Sequence, residues 1–187
     1  MADTLPITHP LESRRELLAS VTGPVRLELD DPVAAADLRI DPSGVDAVAD
    51  AAGGALPMRP ESWTPLPDGL AVRLGPDEWL LASATARPDE WERRLDAAAA
   101  PAGGTAVDVS AQRTSVRLRG PGARALLAAG CAIDLRPASF PRGRSAQTLL
   151  GQAPVLLVAH ADDDLQVLVR PSFAGAVVDL LVDATQA

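Results

Sequence analysis

The most chemically suggestive stretch of this chain is Gly120-Pro121-Gly122-Ala123-Arg124-Ala125. It has the G-x-G-x-x-A spacing in which glycines let a backbone approach a pyrophosphate at the start of a helix. Pro121 argues against that use, because it has no N–H to offer a phosphate. The fingerprint also needs an acid about 20 residues further on to hold a ribose. No Asp or Glu stands between Leu135 and Ala161. The flanking strands do not form successive βαβ units. The pattern reads better as a Pro-initiated helix with a tight entry turn.

The other reactive side chains are scattered. His160 stands beside Asp162, Asp163 and Asp164, and His9 is far away in sequence. A metal needs two or three converging ligands, and an acid-rich turn between strands explains the same residues. Cys131 has no histidine in its neighbourhood to activate it and suits a small buried apolar role. Gly143-Arg144-Ser145 lacks the second glycine of a nucleophile elbow. Asp77-Glu78 and Asp108 are carboxylates at strand ends. A pair of them would serve as acid and base, but a solvated hairpin turn with a strand-end acid accounts for them better. Arg142 and Arg144 have the chemistry to hold a carboxylate or phosphate, or to pair with acids inside or across a subunit contact. No catalytic, cofactor or metal site is complete.

Composition excludes further classes. All 17 basic residues are Arg, so neither a P-loop lysine nor a Schiff-base lysine exists. The formal net charge of −8 disfavours nucleic acid and anionic membrane surfaces. A single cysteine allows no intrachain disulfide and favours a reducing compartment. Met1 to Pro10 lacks the basic and apolar regions of a signal peptide. No apolar run reaches the roughly 20 residues of a membrane helix, so a cytoplasmic location is expected. With 187 residues, 47% hydrophobic and 3% aromatic, the chain suits one globular domain with an aliphatic core.

The elements that would position these residues are legible from periodicity. Residues 1–35 are poorly defined, with a short amphipathic helix around Leu11 to Val21 and an alternating strand from Val25 to Leu29. A strand around Leu38–Ile40 leads to an N-cap at Asp41 and a helix carrying Val45, Val48 and Ala52. Residues 55–68, with four prolines, read as a loop. Strands around Leu70–Leu74 and Trp79–Ser83 flank a turn, and a helix from Pro88 precedes a strand at Thr105–Val109. Strand, helix, strand, strand, helix, strand is the ferredoxin-like order. It restarts at Thr114, runs through a helix after Pro121 and three strands, and ends on a helix with Phe173, Val177 and Leu181 as its inner stripe. The fold class expected is α+β, with two ferredoxin-like (split βαβ) halves, residues 36–110 and 112–187, packed as one domain over 36–187.

Several stretches carry a family resemblance: LGPDEWLL (Leu74 to Leu81), VDVSAQRTSVRLRGPGARALLAAGCAIDL (Val107 to Leu135), FPRGRSAQTLLGQAPVLL (Phe140 to Leu157) and VLVRPSFAGAVVDLL (Val167 to Leu181). With the weaker LRIDPSGVDAVADAAGGALP (Leu38 to Pro57), their order and spacing resemble the gamma subunit of heterotetrameric sarcosine oxidase. The resemblance covers the last four-fifths of the chain and leaves residues 1–35 outside. It implies an aminomethyltransferase-like folate-binding fold without a cofactor of its own. It implies alpha, beta and delta partner subunits that hold FAD, FMN, NAD, zinc and the tetrahydrofolate site. The complex would oxidise sarcosine to glycine, passing the one-carbon unit to tetrahydrofolate and electrons to oxygen. The family supplies no catalytic residue to carry over.

The reading of the residues and the resemblance agree on a non-catalytic structural subunit. Two alternatives stay open: a stand-alone folate-binding or aminomethyl-transferring protein, for which Asp108 is the one acid to consider, and a small-molecule regulatory module. For a subunit contact, Val155 and Leu157 stand out, because Val155 to Val158 runs without a polar interruption, as in a strand buried on both sides. A partner or the other half of the same domain would cover its second face. Trp79 is the further contact candidate, since Trp is enriched at interface centres.

Overall fold

Each sheet grows from hairpins whose alternation assigns one face to helices and the other to the opposite sheet. The computed structural model describes residues 9–186. In chain order the elements are α1 (Arg15–Ala19), β1 (Arg26–Leu29), β2 (Ala34–Arg39), α2 (Asp46–Ala52), β3 (Trp63–Leu66), β4 (Gly69–Gly75), β5 (Glu78–Ser83), α3 (Pro88–Ala99) and β6 (Thr105–Asp108). The second run is β7 (Thr114–Arg119), α4 (Ala123–Ala128), β8 (Ser145–Leu150), β9 (Ala153–Ala161), β10 (Asp164–Val169) and α5 (Pro171–Ala184). Local chemistry explains several boundaries. Asp41 accepts from the Ser43 N–H at 2.9 Å ahead of α2, and Gly53 ends that helix at φ 82°. Pro88, with Asp89 and Glu90 in the first turn, opens α3 in accord with the helix dipole.

The first sheet has the order β3-β4-β5-β2-β6 and the second β1-β7-β10-β9-β8, with every described pairing antiparallel. Without their edge strands β3 and β8, both sheets show the ferredoxin-like sequence of neighbours. The first half is continuous in the chain. The second is not, because its outer strand is β1, which pairs Leu27 with Leu118 and Leu29 with Val116. The amino-terminal segment therefore belongs to the second half, and Leu11, Leu18, Val21, Val25 and Leu27 are all in that half's core. The Pro-rich stretch 55–68 also contains a strand, β3, that its prolines conceal. Pro65 is tolerated there because β3 is an edge strand.

Three apolar layers result. Helices α2 and α3 cover one face of the first sheet around Leu38, Trp79, Leu81, Trp91 and Leu95. Helices α1, α4 and α5 cover the second sheet around Val116, Leu118, Val155, Leu157 and Val177. Between the sheets lie Leu70, Val72, Leu80 and Ala82 from one and Leu156, Val158 and Leu168 from the other. The architecture is helices, sheet, sheet, helices.

This arrangement corrects the three proposed contact residues. Trp79, Val155 and Leu157 are all buried in this chain's own core, so none offers a surface to a partner in this conformation. The uninterrupted run Val155–Val158 is explained from within: Val155 and Leu157 face the helices, and Leu156 and Val158 face the first sheet. Phe173, expected in the core, is 39% exposed, while Val177 and Leu181 are buried.

Candidate functional site

The glycine motif has a packing role. Gly120 adopts φ +118°, and a Cβ there would lie 2.4 Å from the Pro24 carbonyl oxygen. The Gly122 N–H donates to that same oxygen at 2.9 Å, and the Gly120 N–H donates to the Asp163 carbonyl at 2.8 Å. The glycines thus admit the segment that leads into β1, and the N–H groups that would cradle a phosphate are already used. These residues do not fit a dinucleotide.

The remaining suggestive residues also have internal partners. Asp108 accepts from the Ser110 N–H at 2.9 Å and its hydroxyl at 2.5 Å. Arg144 donates to Glu61 at 2.5 Å. Arg142 is exposed. Glu78 pairs with Arg39 at 3.0 Å, and burial with the nearby Asp37 carboxylate pushes its pKa up. Cys131 is buried in the apolar core, with its Sγ 4.0 Å from the Thr148 hydroxyl. Among the described residues no group of three or more His, Cys, Asp or Glu is placed to hold a metal ion. The Trp79 indole N–H donates to the Pro57 carbonyl at 2.8 Å.

The feature that sequence alone did not show is a cavity of about 480 Å³ where the two sheets part. Leu70, Leu80, Ala82 and Leu168 form apolar wall, and Asp30, Arg113, Ser115, Arg117, His160 and Gln166 bring polar atoms to it. Most of those atoms are mutually satisfied. The Asp30 carboxylate accepts from the Ser115 hydroxyl and, at 2.7 Å, from the Gln166 amide. The Gln166 carbonyl oxygen meets His160 Nε2 at 2.9 Å, which makes Nε2–H the donor. Burial pushes the His160 pKa below its ordinary value, and its ring lies 4.4 Å from that of Trp63. Arg117 is held by Asp164. His9 Nδ1 accepts from the Leu11 N–H at 3.1 Å, so Nε2 donates to the Thr114 hydroxyl at 3.0 Å. Arg113 is the exception. It is half-buried, has no hydrogen-bond or ion-pair partner among the described residues, and burial and then Arg170 push its pKa down. Asp37, whose Oδ1 is buried without a hydrogen-bond partner among the described residues, and Glu78 attract it.

The cavity's hydroxyl groups are held within these networks, Thr114 by His9 and Ser115 by Asp30. A signal for it existed in β7 and β10, where Ser115, Arg117 and Gln166 interrupt otherwise apolar positions. Sequence periodicity assigns such residues to solvent, whereas here they face the opposite sheet.

Two ferredoxin-like sheets packed through their open faces define an aminomethyltransferase-like fold. The aminomethyltransferase T of the glycine cleavage system from Bartonella henselae shares it, with a TM-score of 0.67 and 16% identity over 95% of this chain and 50% of that one. That likeness concerns the fold alone. A family model described as sarcosine oxidase, gamma subunit family, matches residues 36–187. The sarcosine oxidase subunit gamma of Corynebacterium sp. (strain U-96) is 36% identical over 146 residues, 76% of this chain and 69% of the relative. That of Arthrobacter sp. is 35% identical over 143 residues, 76% and 70% of the two chains. The solved heterotetrameric sarcosine oxidase from Corynebacterium sp. U-96, in complex with pyrrole 2-carboxylate, contains a chain that superimposes with a TM-score of 0.87. It is 30% identical, with 96% of this chain and 95% of that one covered. The chain belongs to the sarcosine oxidase gamma subunit family.

Proposed function

We propose that this chain is a non-catalytic structural subunit of a heterotetrameric sarcosine oxidase, assembled with alpha, beta and delta subunits in the cytoplasm. In this reading the partners hold FAD, FMN, NAD, zinc and the tetrahydrofolate site. The assembled enzyme oxidises sarcosine to glycine, delivers the one-carbon unit to tetrahydrofolate and passes electrons to oxygen. The observation that carries the reading is the likeness, over nearly the full length of both, to a chain of a solved heterotetrameric sarcosine oxidase. The site chemistry supports it, since the polar groups of the cavity are tied to one another rather than poised for proton transfer. Among the described residues no helix is long and apolar enough to cross a membrane.

The test is co-expression of the neighbouring large subunits with and without this chain. The full set is expected to co-purify as one complex, and the set lacking the chain to be unstable or poorly soluble. Large subunits that assemble with full activity and normal thermal stability without it would contradict the structural role. The stand-alone folate-binding reading would then be the one to pursue.

A further inference from the structure

The inter-sheet cavity is the strongest unassigned feature of the molecule. Its volume, about 480 Å³, lies in the range of built binding sites, and its mixture of apolar wall and few polar groups is typical of them. Its acids are already engaged: Asp30 by Ser115 and Gln166, and Asp68 by Ser83 and Thr85. Asp31, also on the lining, is exposed to solvent. Arg113 is half-buried and has no hydrogen-bond or ion-pair partner among the described residues, although Asp37 and Glu78 attract it. A half-buried guanidinium without an ion-pair partner in the wall of an apolar cavity is suited to accept a carboxylate from outside. Arg170 stands near enough to repel Arg113, and it precedes Pro171, which lines the cavity. Apolar surface continues outward from the same place. Val33, on the lining, is 37% exposed. A small molecule inside the cavity would leave that outer surface bare. A protein segment would cover it.

We infer that this cavity is the docking site for an apolar segment of a partner subunit that presents a carboxylate to Arg113. The inference rests on the reading of the chain as a subunit of a larger complex. The partner is defined by charge complementarity: an Asp, Glu or terminal carboxylate on a run of apolar side chains. Burying that carboxylate against Arg113 would convert an unpaired cation into an ion pair. Truncating one partner of such a buried pair weakens association mainly through faster dissociation.

Two variants of the full-length chain test this in the complex. Arg113→Gln removes the cation and keeps a polar side chain. Ala111→Trp, at an exposed position on the cavity lining, obstructs the mouth without touching the core. Arg93→Gln, on the exposed face of α3, is the control. Each variant is first melted alone and then titrated against the co-expressed remaining subunits. The isolated Arg113→Gln chain should melt at or near the wild-type temperature, because it loses no ion pair. Its affinity for the remaining subunits should fall about tenfold or more, and Ala111→Trp should assemble as poorly, while Arg93→Gln assembles like wild type. If the remaining subunits require this chain but accept Arg113→Gln and Ala111→Trp as readily as wild type, the cavity is not the docking site and this inference alone is overturned. Subunits that assemble equally well with no gamma-family chain at all would instead overturn the structural-subunit reading. An Arg113→Gln chain that melts well below wild type would show the arginine to be structural and would also refute the inference.

Discussion

The two halves have the same order of strands in space and differ in how the chain supplies them. The first sheet is built from one continuous run, β2 to β6. The second borrows its outer strand, β1, from a segment some ninety positions away, pairing Arg26 with Arg119 and Leu29 with Val116. The Arg119–Glu28 pair, at 2.7 Å, and the Arg14–Asp179 pair add to this junction. The glycines at 120 and 122 are where the segment enters. A conserved topology can therefore be completed by a permuted piece of chain, and a domain boundary drawn at residue 35 leaves out part of a sheet.

The largest expected effect comes from removing that piece. Deleting residues 1–30 takes away five buried apolar side chains, Leu11, Leu18, Val21, Val25 and Leu27. At 1.5–3 kcal/mol each, the loss is on the order of 10 kcal/mol, against a total stability of roughly 5–15 kcal/mol. The deletion is expected to give insoluble or molten protein, as measured by near-ultraviolet circular dichroism and yield. A cooperatively folded deletion protein would show that β1 is an accessory rather than part of the second half.

A smaller effect separates the inner from the outer positions of α5. Val177→Asp places a carboxylate in the second core with no partner, costing several kcal/mol. Phe173→Asp, at a position 39% exposed, is expected to cost about 1 kcal/mol or less. Urea denaturation of both variants checks the contrast, and equal losses would refute the assignment of faces.

The smallest expected effect is a pH dependence located between the sheets. His160 is held below the ordinary imidazole value of 6.5 by burial, with Arg117 acting in the same direction and Gln166, Asp164 and Asp30 opposing. Below pH 6.5 the unfolded chain binds a proton that the folded chain resists. Stability should therefore be fully present above that pH and decline as the pH falls towards the lower folded value. Asp164, whose pKa is lowered by Arg117 and Arg119 against the opposing effect of burial, adds its own loss only below the ordinary carboxylate range. Melting temperatures from about pH 7 to about pH 5 should show a slope that His160→Gln reduces. An unchanged slope in the variant would place the titration elsewhere.

Legibility from sequence followed the same division. The first half and the run after Thr114 could be read because hairpin alternation, Pro at helix starts and Gly at helix ends are local signals. Strand β1 could be recognised as a strand, from Val25 to Leu29, but not assigned to a sheet, since nothing near it encodes a pairing with Val116 and Leu118. Strand β3 was hidden by Pro65 and Pro67. Val155–Val158 announced burial on both faces without saying what covered the second. The cavity was the least legible, because it depends on Arg113, Ser115 and Gln166 facing a sheet from the other half. The closed polar network and the occupied glycine turn also explain why isolated motifs in this sequence resemble catalytic chemistry without forming a reactive site.

As a structural subunit, this chain is expected to contribute no redox chemistry of its own. The most direct test is the purified chain alone, examined for a flavin absorbance band and for peroxide production on addition of sarcosine. The expected result is a colourless protein that forms no peroxide above buffer. A bound flavin spectrum, or sarcosine-dependent peroxide from the single chain, would contradict it.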